Sequence, residues 1–127
     1  VLMAREPHWA ASAEVWARVE KGDIEGCVAA HSVATLYYLY ARQYSTREAK
    51  EAVSRLLRVF AVAAIDQAAV ERALQIECDD LEDALQIAAA EREGVNYLVT
   101  RNMRHLRHAS VPTSDPADLA ALLRART

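Results

Sequence analysis

The sequence is poor in residues that break or staple a chain. Three Gly and three Pro among 127 residues exclude a loop-rich or disordered polypeptide. The two cysteines, Cys27 and Cys78, are far apart and in no metal-ligand spacing. That excludes a zinc ribbon and a disulfide-dense scaffold, and they read as two free thiols of a reducing compartment. Aromatic residues are few, at 6%. No hydrophobic run approaches the roughly 20 residues that a membrane span requires, and no signal peptide is expected. Charge of neither sign dominates. With a net charge of −3 the chain is no bulk polyanion binder, so any nucleic-acid contact requires a local basic patch.

What is present suits an ordinary soluble fold. The apolar fraction of 53% and charged fraction of 26% are those of a globular domain, and 127 residues make one domain, 1–127. A chain of this size buries roughly two-thirds of the surface its unfolded form exposes. The chain opens on the apolar Val1-Leu2-Met3 with no initiator Met. This reads as the tail of an apolar element, and the folded unit is expected to begin upstream.

Helices and short apolar runs alternate. Pro7, Trp9, Ala13 and Trp16 mark a first helix closed by Gly22. Gly26 to Ala30 reads as a buried strand, and Ser32 is placed to cap the next helix. Ser45-Thr46-Arg47-Glu48 is a capping box for a third helix. Phe60 to Ile65 reads as a strand, and Asp66 caps a helix to about Ile76. A helix from the Asp79 region to Glu93 follows, stopped by Gly94, then a Tyr97–Val99 strand. Val111-Pro112-Thr113 reads as a final edge strand, and Asp115 and Pro116 open the last helix. Strands separated by helices predict an α/β fold with a mainly parallel sheet covered on both faces.

Two neighbouring segments carry the chemistry. Asp79, Asp80, Glu82 and Asp83 crowd one helix start. Acids there cap free N–H groups and offset the helix dipole, and Asp79 with Glu82 or Asp80 with Asp83 can form the capping pair. Two caps do not need four acids, and like charges in one turn repel. Asp83 lies four residues before the core-facing Ile87, so it is expected at the edge of the buried stripe, beside the C-terminal ends of the strands. Open parallel sheets bind ligands there, and a carboxylate at that edge suits Mg²⁺ or Mn²⁺. Thr100, Arg101 and Asn102 then bring a hydroxyl, a guanidinium fork and a neutral oxygen ligand to a strand end. Arg101, Arg104, His105, Arg107 and His108 form a basic cluster beside them, read either as a solvated loop or as an RNA contact. His8 and His31 read as structural histidines, and Tyr37, Tyr38 and Tyr40 as core or interface aromatics.

Taken together, Asp80-Leu-Glu82-Asp83-Ala-Leu, Gly94, Tyr97-Leu-Val-Thr100-Arg101-Asn102 and Val111-Pro112 resemble the PIN-domain family, in the branch of VapC-type toxin ribonucleases. The resemblance implies a PIN-like three-layer α/β/α fold with a mainly parallel central sheet. It implies metal-dependent hydrolysis of RNA phosphodiesters in the cytoplasm, with Mg²⁺ or Mn²⁺ as cofactor and an antitoxin protein as partner. By it Asp83, with Asp80 and Glu82, holds the metal. Asn102 and Thr35 complete the catalytic set, and Thr100, Arg101, Arg104 and His105 meet the RNA phosphates. The chain departs from the family where a first strand ends in the central Asp, which is missing here. It departs again at Thr35, where an acid is common, and at His105, often Asp. Weak or absent nuclease activity is therefore expected, the alternative being a catalytically degenerate module that binds RNA or a partner protein. Two strands left without their shared neighbour are expected to drive re-pairing, strand exchange or a homodimer or higher oligomer.

Overall fold

The computed structural model describes residues 9–99 and 109–126, with side chains from residue 13 onward. Among the described residues six helices and four short strands follow one another as α1 (Trp9–Glu20), β1 (Cys27–Ala29), α2 (Ala30–Gln43), α3 (Thr46–Val59), β2 (Ala61–Ala63), α4 (Gln67–Gln75), α5 (Leu81–Glu93), β3 (Leu98–Val99), β4 (Thr113–Ser114) and α6 (Pro116–Arg126). This is an α/β chain in which helix predominates.

Several boundaries follow from capping chemistry. Ser45 accepts from the Glu48 N–H at 3.1 Å and starts α3. Asp66 accepts from the Ala69 N–H at 3.0 Å and starts α4. Asp115 accepts from the Asp118 N–H at 2.7 Å and starts α6. Each side chain satisfies one of the N–H groups that a helix start leaves without an internal partner. Gly94 ends α5 at φ 65°, ψ 37°, a left-handed conformation that costs glycine nothing sterically.

One boundary departs from expectation. Ser32 does not cap α2, which begins at Ala30. Strand β1 runs directly into the helix, so its last residue, the extended Ala29, occupies the cap position and offers no side-chain acceptor. Ser32 falls inside the first turn.

The strands pair in parallel, as expected, but not in one sheet. Strand β1 pairs with β2 in the register Cys27↔Ala61, Val28↔Val62, Ala29↔Ala63. Strand β3 pairs with β4 through Leu98↔Thr113 and Val99↔Ser114. Among the described residues these are two separate two-stranded sheets. The last strand sits at Thr113–Ser114 and not at Val111–Thr113. Pro112 has no N–H to give to a ladder, and it enters the pairing only as acceptor, from the Leu98 N–H at 2.9 Å.

Two apolar clusters hold the elements. Val15 of α1 packs with Leu119, Ala120 and Leu123 of α6, joined by Ile24, Leu122 and Val99. Ala73 of α4 packs with Ala84 and Ala88 of α5, joined by Ile76, Cys78 and Leu85. Alanines at that seam let the two helices approach closely. A bidentate Arg72–Glu91 pair, at 3.2 and 3.0 Å, spans the same helices. Tyr38 is 56% exposed and stacks under Arg42, while Tyr37 and Tyr40 are half-buried, so none of the three is a core residue. Among the described residues no helix is long and apolar enough to cross a membrane.

Candidate functional site

A groove of about 360 Å³ opens where the two sheets face each other. Its walls are β1 and α2 on one side and α5 and β3 on the other, with Leu36, Ala89 and Ala90 among the apolar side chains inside. Polar groups gather where the start of α5 meets the first turns of α2: Glu82, Gln86, Ser32 and Thr35.

The acidic turn is split into distinct tasks. Asp80 is the cap: its Oδ1 accepts from the backbone N–H of Glu82 at 2.8 Å and of Asp83 at 3.3 Å. Of the two capping pairs the sequence permits, the structure has Asp80 and leaves Asp79 outside the helix. Glu82 turns toward the groove, on the stripe that continues through Gln86, Ala89 and Ala90. Asp83 is half-buried, one residue further round and in line with the 1% exposed Ile87. It is Glu82, not Asp83, that lines the groove.

Thr35 is brought to the acidic turn across 47 residues of sequence. Its Oγ1 lies 3.5 Å from Glu82 Oε2 and 3.3 Å from the His31 carbonyl oxygen one turn back. A hydroxyl has one proton, so it serves one of these acceptors at a time, and both distances are long for O–H···O bonds. His31 supports the same junction. Its Nε2 lies 3.0 Å from the Glu82 carbonyl oxygen, and since that oxygen only accepts, Nε2 carries the proton. The other ring nitrogen, Nδ1, is buried and has no partner among the described residues. Sequence reasoning passed over His31 as an isolated histidine. The signal was its place one helical turn before Thr35, on the same face of α2.

Asn102, Thr100, Arg101, Arg104 and His105 lie outside the described residues. They follow Val99, which lines the groove, directly in the chain. The described residues fit a hard cation only in part. No group of three or more His, Cys, Asp or Glu comes together among them, and one oxygen of Asp80 is already committed to capping. Glu82, with the Thr35 hydroxyl beside it and Asp83 next in the chain, is an oxygen-rich corner and not a closed cage. Mg²⁺ is commonly held by one or two carboxylates together with waters and substrate phosphates.

One thiol also faces the groove. Burial, and secondarily the Glu93 carboxylate, push the Cys27 thiol above its ordinary value, so it is a poor nucleophile near neutrality.

No curated protein matches this chain. The family model of the PIN domain matches residues 1–104, most of its length, and the chain belongs to the PIN domain family, whose members are in general nucleases.

Proposed function

We propose that this protein is a divalent-metal-dependent endoribonuclease of weak activity, the toxin of a toxin–antitoxin pair of the VapC type, working in the cytoplasm. The observation that carries the reading is the meeting of Thr35 and Glu82 on the groove wall, at the acidic helix start. In the family resemblance Thr35 stands at an acidic position, and its contact with a carboxylate of α5 is what shared ligation of one cation requires.

Glu82 and Asp83 would hold Mg²⁺ or Mn²⁺, with Asp80 fixing the turn that presents them. When bound, the cation supplies charge neutralisation at the phosphate and lowers the pKa of a bound water. The Thr35 hydroxyl orients a water or a phosphate oxygen and adds no negative charge. Asn102 is a neutral oxygen ligand, and Thr100, Arg101, Arg104 and His105 contact the RNA phosphates. With so few carboxylates the cation is held weakly until RNA arrives, which is why activity is low.

A degenerate module that binds RNA or a partner without cleaving is the second reading, favoured by the lack of a three-ligand group among the described residues. Cleavage of a labelled RNA in Mg²⁺ or Mn²⁺, read on a gel, separates the two. Slow, metal-dependent cleavage lost in both Glu82→Gln and Asp83→Asn supports the nuclease. RNA binding without cleavage supports the second reading. Cleavage unaffected by chelator or by both substitutions sinks the metal site.

A further inference from the structure

One stripe of α2 runs from the acidic corner out to solvent. His31, Thr35, Tyr38 and Arg42 follow at i, i+4, i+7 and i+11, so they share a face of the helix. The first two meet the start of α5: His31 at the Glu82 carbonyl, 3.0 Å away, and Thr35 at the Glu82 carboxylate. The last two are exposed, Tyr38 at 56%. They stand beside Thr35 and Leu39, which line the groove, and so mark its rim. They also hold each other. Arg42 Nη1 donates to the Tyr38 hydroxyl at 3.2 Å, and the guanidinium carbon is 5.7 Å from the ring centroid. Arg42 has no acidic partner among the described residues, so its charge is not neutralised. Along the helix axis Tyr38 is about 5 Å from Thr35, and Arg42 about 10 Å.

We propose that Tyr38 and Arg42 form a nucleotide subsite at the rim of the groove. The base neighbouring the phosphate held at the Thr35–Glu82 corner stacks on the Tyr38 ring, and the next phosphate meets Arg42. This rests on the reading that RNA is held at that corner, with or without cleavage. Proteins hold single-stranded RNA by aromatic faces that take unstacked bases and by basic groups that take phosphates. Tyr38 and Arg42 offer one of each, a single nucleotide's reach from the corner. The hydrogen bond between them keeps ring and guanidinium in one arrangement, so less freedom is lost when a nucleotide binds. Charge divides along the stripe in the same sense. At the corner the Glu82 carboxylate needs a cation between itself and a phosphate, whereas Arg42 receives a phosphate directly. An acidic peptide lying on the stripe would meet one cation and then Glu82. Every base has a π-face, so the ring reads the presence of a base and not its identity. The subsite positions the strand without selecting a sequence.

The test uses the whole chain and a fluorescent single-stranded RNA, trimmed to the shortest length that binds so that it has one register. An abasic site is moved along it one position at a time, and binding is read by anisotropy in Ca²⁺. In the parent chain one position is expected to lose about tenfold in affinity when its base is removed, and little when its base is exchanged. Tyr38→Ala should abolish that penalty and keep those at other positions, while Tyr38→Phe, which keeps the ring, should retain it. Arg42→Gln should lower the slope of log affinity against log salt by about 0.7, the share of one phosphate on a single strand. RNA binding with the same abasic profile in Tyr38→Ala as in the parent overturns the subsite alone. So does a uniform weakening that leaves the penalty in place, which marks a structural role. A dimer that Tyr38→Ala dissociates, seen by sedimentation, also overturns it and gives Tyr38 to a protein interface. A parent chain that binds no RNA removes the RNA reading of the corner and the subsite with it.

Discussion

Thr35 Oγ1 stands 3.5 Å from Glu82 Oε2, a hydroxyl where an acid would add a third carboxylate to the cation site proposed at Glu82 and Asp83. Thr35→Asp is therefore expected to act in two opposite ways. Without metal it sets two like charges side by side and lowers the melting temperature. With millimolar Mn²⁺ the repulsion becomes ligation, and the melting temperature rises more than that of the parent chain, because a ligand that binds only the folded state stabilises it by mass action. Thermal melts with and without Mn²⁺ check this. An equal Mn²⁺ response in both proteins would place the cation elsewhere.

Asp80 and Asp79 are adjacent acids with different work. Asp80→Ala removes a cap that serves two N–H groups and is expected to cost about 1 kcal/mol in urea unfolding. Asp80→Asn keeps an acceptor and should recover most of the loss. Asp79→Ala should fall within about 0.5 kcal/mol of the parent. If Asp79→Ala is the costlier change, the cap has been assigned to the wrong residue.

Gly26 faces the Phe60 ring so closely that a Cβ built on it would stand 2.5 Å from two ring carbons. Phe60 is itself held edge-on against Trp16, with ring centroids 4.9 Å apart. Gly26→Ala is expected to destabilise the chain by about 1–3 kcal/mol, the range for overpacking. Adding Phe60→Leu should return part of that loss. A double-mutant cycle measures the coupling, and strict additivity would show that the ring moves aside freely.

Acid should weaken the chain through Asp66. The Arg92 guanidinium beside it, and secondarily the Ala69 N–H it caps, hold its carboxyl at about 2, below the ordinary 3.8. A lowered folded-state pKa means that the unfolded chain binds the proton more readily. The contribution is full above about pH 4 and is lost as pH falls from there through about 2. Glu91, held down first by Arg72, shifts in the same direction. Asp66→Asn should flatten the fall in melting temperature over this range. Both partners are on the surface, so the effect is small and fades in high salt. A variant that falls as steeply as the parent would remove Asp66 from the acid response.

The legible parts of this fold are those written in local chemistry. Ser45, Asp66, Asp115 and Gly94 each mark a helix end by a side-chain bond or a backbone conformation made within a few residues, and all four hold. Ser32 misleads because β1 and α2 abut without a turn, which no local signal announces. The division into two sheets depends on which strands meet across the fold, and strands of two or three residues carry little register information. At the site, Thr35 and the acidic turn are both readable. What spacing alone left undecided is which acid faces the groove, since Glu82 and Asp83 differ by only one step around the helix. Contacts between residues far apart in the sequence, such as His31 with the Glu82 carbonyl, are invisible until the backbone is folded.

Helix α6 gives the domain a physical limit that the family match does not. The match ends at residue 104, yet Leu119, Ala120 and Leu123 form most of the cluster that seats Val15, and Arg124 pairs with Glu14. A chain cut at the family boundary would strip the inner face of α1 and uncover Val99 at the groove. Any change in function measured on such a shortened chain would then report a collapsed wall and say nothing about the chemistry of the residues removed.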